Sequence, residues 1–202
     1  MRTLWRARFG RMIYRLAMKL RWLLLLTVTL FFAACAEHNV MLDNPRDTGV
    51  TFTFDEGDSH EVAAGALKKI TLPEGNHHVV IKTDDGTQIG DTTFKLREGG
   101  LIHSGSSTYV VWRQLYGLQT ERETLLNERW VEFDSIRAKG DLKVYQPNWL
   151  YVEKNWEKGL DEELPGATTL YITKDYVIES KIFRSKEFIE TYRNMAKKSK
   201  DN

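Results

Sequence analysis

The chain has 202 residues, room for one domain or two small ones at about 150 residues each. Hydrophobic residues make up 42% and charged residues 28%, which excludes a disordered chain and a multi-span membrane protein alike. Four prolines and one cysteine exclude a proline-rich linker protein and a disulfide scaffold.

The net charge of +1 hides a split. Residues 1–34 carry seven basic groups (Arg2, Arg6, Arg8, Arg11, Arg15, Lys19 and Arg21) and no acidic one. The rest of the chain therefore holds 22 basic against 28 acidic groups, a net −6. That balance argues against nucleic acid as a partner, because phosphate contacts need clustered Lys and Arg.

After Arg21 comes an uncharged run of thirteen residues, Trp22 to Ala34. An apolar signal-peptide region spans about 7–15 residues and a membrane helix about 18 or more, so the length favours a cleaved signal. Its end, Phe32-Ala33-Ala34-Cys35, resembles the lipobox of bacterial lipoproteins. The resemblance implies that Cys35 is acylated and becomes the first residue of the mature chain; no cofactor is expected beside this covalent lipid. Phe32 stands where such boxes carry Leu, Val or Ile, and the basic region is long. By resemblance to enterobacterial sorting, Ala36 after the cysteine points to the outer membrane of the cell envelope. The alternative is an uncleaved signal anchor in the inner membrane with an incidental cysteine.

From Val40 to Leu115 the text alternates in short runs cut by turn residues. Val50, Phe52 and Phe54 alternate with Thr51, Thr53 and Asp55, which predicts a half-buried strand between the turns Asp43-Asn44-Pro45 and Asp55-Glu56-Gly57-Asp58. Leu67–Leu72 and His77–Lys82 read as strands joined through Pro73-Glu74-Gly75-Asn76, with Asp84-Asp85-Gly86 closing the pair as a hairpin. Phe94 and Leu96 mark another strand. Tyr109–Trp112 is apolar on both faces and therefore central. The fold class expected is mainly β: a small antiparallel sandwich after the signal peptide, then further strands and a C-terminal helix.

Residues 48–83 resemble the PEGA-like and Ig-like sandwich modules of bacterial envelope proteins: VTFTFD, a turn, a strand ending in Leu-Pro-x-Gly, then His-x-Val-x-Ile. The glycine-aromatic ending of those modules is missing. The resemblance implies a fold class and brings no catalytic residues with it.

Farther on, Thr120-Glu121-Arg122-Glu123 reads as a capping box opening a short helix over Gln119–Glu128. Strands are predicted at Trp130–Ile136, Leu142–Tyr145, Leu150–Val152, Leu170–Thr173 and Tyr176–Phe183, with turns at Lys139-Gly140-Asp141 and Lys174-Asp175. The long polar loop Glu153–Gly166 is either ordered by Trp156 and Leu160 or mobile. Phe188, Ile189, Tyr192, Met195 and Ala196 share one face of a terminal helix that Ser185 can cap. The organisation expected is a signal peptide over 1–34, a β-sandwich domain over 35–116 and a helix-plus-strand segment over 117–202. That last segment is either a second domain or an extension of the first sheet.

No residue set carries recognisable catalytic chemistry. Asp47-Thr48-Gly49 has no second copy to make an aspartic dyad, and His103-Ser104 lacks the spacing of a nucleophile elbow. His77 and His78 are the weak metal candidates. Neighbours on a strand point to opposite faces, so each would need ligands from elsewhere, such as His60 or His103. The aromatic residues say more. Trp149, Tyr151 and Trp156 cluster in and before the polar loop, where recognition residues commonly sit, and are the candidate contacts for a partner or glycan.

The function these readings favour is a lipid-anchored envelope protein with a binding or structural role. It meets the membrane through its lipid and an envelope protein or glycan through its aromatic residues. The rivals are an envelope hydrolase acting on peptidoglycan or glycan, and a metal-handling lipoprotein.

Overall fold

Alternation with period 2 dominates the backbone. A computed structural model describes residues 36–117, 122–164 and 176–198. Contacts group His38–Asn202 into one unit, apart from Met1–Glu37. The strands are β1 (Glu37–Asp43), β2 (Val50–Phe54), β3 (Asp58–Val62), β4 (Leu67–Pro73), β5 (Gly75–Thr83) and β6 (Gln88–Leu96). They continue with β7 (Gly100–His103), β8 (Tyr109–Gly117), β9 (Arg129–Phe133), β10 (Ile136–Tyr145), β11 (Tyr151–Glu153) and β12 (Tyr176–Arg184). One helical turn, α1 (Arg122–Leu125), precedes β9, and the helix α2 (Ser185–Lys198) closes the chain. The protein is mainly β, as its alternating runs predict.

The strands form three four-stranded sheets, ordered β3-β2-β5-β6, β11-β7-β1-β4 and β12-β8-β10-β9. Their side chains show how the sheets stack. Val40, Leu42 and Ile102 of the β1/β7 sheet pack with Phe52, Phe54, Val79 and Ile81 of the β2/β5 sheet. Met41, Leu101 and Val152 point the other way and pack with Tyr109, Val111, Tyr145 and Ile182 of the β8/β10 sheet. The far face of that last sheet, with Val110, Ala138, Leu142 and Phe183, packs on Phe188, Ile189 and Tyr192 of α2. The order is thus sheet, sheet, sheet, helix. A strand in the middle sheet is apolar on both faces, and β7 is buried along its whole length. Each large apolar side chain buried this way contributes about 1.5–3 kcal/mol.

Three local expectations are corrected. β4 does not pair with β5. Gly75, at φ 151°, carries the chain out of the middle sheet into the outer one, and β5 pairs with β6 across the Asp84–Thr87 turn. The predicted strand Trp130–Ile136 is a hairpin: Asp134 and Ser135 have φ of 42° and 62°, the paired left-handed geometry of a type I′ turn. Lys139-Gly140-Asp141 is correspondingly no turn but the middle of β10. Gly140 stands there because a Cβ would come within 3.2 Å of the Trp112 indole nitrogen. The helix expected over Gln119–Glu128 is described only from Arg122, as the turn α1. The predicted strand Leu170–Thr173 and turn Lys174-Asp175 lie outside the described residues, as do the apolar run and Cys35.

Candidate binding site

The parallel register of β1 and β7 sets Asp43 beside His103, both fully buried. A buried carboxylate needs a counter-charge. Arg184, at the end of β12, supplies it: its Nε donates to Asp43 Oδ2 at 2.9 Å, a second nitrogen donates to Oδ1, and that nitrogen also reaches the Gly65 carbonyl at 3.0 Å. The Tyr109 hydroxyl donates to the same carboxylate. Burial and the Asp43 charge hold the Tyr109 phenol well above its ordinary range, so it stays a donor. One acid thereby ties the middle sheet to the β8/β12 sheet.

His103 extends this network to the surface. Its ring lies on Tyr109 with centroids 4.5 Å apart. Nδ1 accepts the Gly105 N–H at 3.1 Å, which leaves the proton on Nε2, and Nε2–H donates to the Trp149 carbonyl at 2.7 Å. Burial pushes the imidazole down to about 4, so the ring is neutral near pH 7. The backbone N–H of His103 donates to the Leu150 carbonyl at 3.0 Å.

These bonds brace the turn Gln146-Pro147-Asn148-Trp149 that follows β10. Pro147 has no N–H and ends the ladder there. The Trp149 N–H returns to the Gln146 carbonyl at 3.0 Å. The backbone of Trp149 is fixed at both its N–H and its C=O, yet 55% of the residue is exposed. Its indole meets the buried Tyr145 ring edge to face at 5.9 Å. Asn155 Nδ2 donates to the Tyr145 hydroxyl at 2.8 Å, and the Lys143 ammonium sits 4.9 Å from the Tyr145 ring centre. An exposed flat ring on a rigid backbone is an arrangement suited to contact.

The structure does not bring the three aromatic candidates together. Tyr151 is half-buried, stacks on Phe94 at 4.3 Å and donates its hydroxyl to the Gly99 carbonyl at 3.1 Å. Burial pushes its phenol up to about 12. Trp156 is only 5% exposed and belongs to the core between two sheets, so it is a packing residue rather than an exposed contact. The polar segment that carries it is strapped along β12: the N–H groups of Glu157 and Lys158 donate to the Ser180 carbonyl, and the Ile182 N–H to the Lys158 carbonyl. Lys181, itself buried, aims its ammonium at the carbonyls of Gly159 and Leu160 at 3.3 and 3.2 Å and pairs with Glu187 at 3.2 Å. Beside the strap lies a depression of about 320 Å³ lined by Met41, Lys69, Lys154, Trp156, Glu157 and Glu162, with the ion pair Lys69–Asp161 at its edge.

His77 and His78 face opposite sides of β5. His77 is buried, its Nδ1 2.7 Å from Asp55 and its Nε2 2.8 Å from the Pro73 carbonyl, while His78 pairs with Asp91 at 2.8 Å. Both ring nitrogens of His77 are thus engaged, as are both of His103. Among the described residues, no group of three or more His, Cys, Asp or Glu is placed to hold a metal ion. The residues that position the exposed indole (Asp43, His103, Tyr109 and Arg184) are scattered along the chain. Only the apolar surroundings of Asp43 and His103 hint at them in the sequence.

The described residues make up a mainly β fold, three stacked sheets with the helix α2 packed on the last, that presents the Trp149 indole from a braced turn. The chain matches no protein-family model, no curated protein and no solved structure. Among the described residues, no helix is long and apolar enough to cross a membrane.

Proposed function

We propose that this chain is a lipid-anchored protein of the bacterial envelope that works by binding, with its lipid on Cys35 and its contact centred on Trp149. One observation carries the reading. A large apolar side chain is left in solvent while its backbone is held by a buried network spanning two sheets. Exposing an indole gives up hydrophobic stabilisation of about 1.5–3 kcal/mol, and a fixed backbone lowers the entropy a contact would otherwise lose. The lipobox and the net negative mature chain support the address. Acyl chains hold such a domain at a membrane surface, each buried methylene adding about 0.8 kcal/mol.

The test uses the full chain in its own envelope. Mass spectrometry of the mature N-terminus is expected to find an acylated Cys35, and Cys35→Ala to accumulate as precursor. Trp149→Ala is expected to keep its melting temperature while losing crosslinks to an envelope component. An unmodified chain starting at Met1, or crosslinking indifferent to Trp149, would contradict the proposal.

A further inference from the structure

Resting on that reading of Trp149, we infer that its ligand is an uncharged glycan, a strand of hydroxyl- and acetamido-bearing sugars, rather than a protein surface. The surroundings of the indole decide between the two. A protein partner buries about 800 Å² on each side around an apolar centre. Here the indole stands alone. Among the described residues, the other exposed large apolar side chains are Trp130 on β9, Tyr176 on β12 and Met195 on α2, none of them on this turn. A sugar ring asks for less: one flat aromatic face against its C–H groups, and donors and acceptors near the ring edge for its hydroxyls.

Amide side chains occur on the same turn and one contact beyond it, through Tyr145. Gln146 and Asn148 are exposed in the same turn, and Asn155 is fixed by its bond to Tyr145. Each amide both donates and accepts, which matches hydroxyl and acetamido groups and has no preference for a charge. Lys143 lies over the Tyr145 ring, and among the described residues no carboxylate pairs with it. Tyr145 meets the indole in a T-shaped contact, at 66° between the ring planes, and does not stack on it. The braced turn holds the platform in place, so little ordering is left for binding to impose.

The experiment uses the full-length chain in detergent micelles and a defined probe, N-acetylglucosamine oligomers, soluble and as chitin beads. The chain should be retained on chitin, released by soluble oligomer and unaffected by high salt, since the contacts are uncharged. Trp149→Ala should weaken oligomer binding by more than about tenfold at an unchanged melting temperature, with Trp149→Phe in between and Trp130→Ala like the parent. Retention equal in the parent and Trp149→Ala, or none in either, overturns the glycan assignment. If Trp149-dependent crosslinking to an envelope protein is then found, the binding reading stands and only the ligand class falls. If neither glycan nor protein capture depends on Trp149, both fall.

Discussion

The turn Gln146–Trp149 and the strap Glu153–Leu164 leave the same stretch of chain a few residues apart, each carrying a tryptophan, and the two indoles meet opposite fates. In the turn, the backbone of Trp149 is held from within by His103, so the side chain points outward. In the strap, the backbone lies against the open edge of β12 and Lys181 gathers the loop carbonyls, so Trp156 is driven inward. Residue type does not separate them. What separates them is which side of the backbone finds its hydrogen-bond partners in the core.

The largest effect that could break this contrast is in the strap. Trp156→Ala removes an indole from a sealed layer and is expected to lower stability by about 3–5 kcal/mol, read as a shift of the urea midpoint. A loss below 1 kcal/mol would mean that the strap does not seal the core.

Next comes the turn's brace. The His103 imidazole is held down to about 4 in the fold against 6.5 when exposed, so the unfolded chain binds more protons between those values. Stability is therefore full above pH 6.5 and falls as the pH drops to 4, by on the order of 3 kcal/mol. Urea melts across this window in the parent and in His103→Phe check the sign; the variant should lose the His103 part of the slope.

A smaller effect is expected from Lys181→Met, about 1–3 kcal/mol, because the carbonyls of Gly159 and Leu160 lose a charged donor. Limited proteolysis should cut the variant within 153–164 before it cuts the parent anywhere.

How much of this was legible beforehand follows from how local each feature is. The alternation of Val50, Phe52 and Phe54 shows its buried face without any partner, and so does the stripe Phe188, Ile189 and Tyr192. β1 and β7 left no alternation to read, since a strand between two sheets is apolar on both faces. Gly140 looked like a turn because its reason, the indole of Trp112 across the strand, is 28 residues away in sequence. The lone histidine and aspartate of the brace carry no spacing signal at all, as their meeting depends on the parallel register of β1 and β7. For the same reason the sequence could nominate Trp149 and Trp156 together but not tell them apart.

The smallest effect expected is the stability change of Trp149→Ala, within about 0.5 kcal/mol of the parent by urea denaturation. A larger loss would place that indole among the packing residues.

The most direct measurement is oxidative footprinting of tryptophan by mass spectrometry, made on the purified full chain and again in intact envelopes. Trp149 should be oxidised readily in the purified protein and Trp156 protected, with Trp130 reactive as an internal reference at 56% exposure. In envelopes, Trp149 alone should become protected. Equal reactivity of Trp149 and Trp156 in the purified chain, or a Trp149 as reactive in envelopes as in solution, would contradict the account.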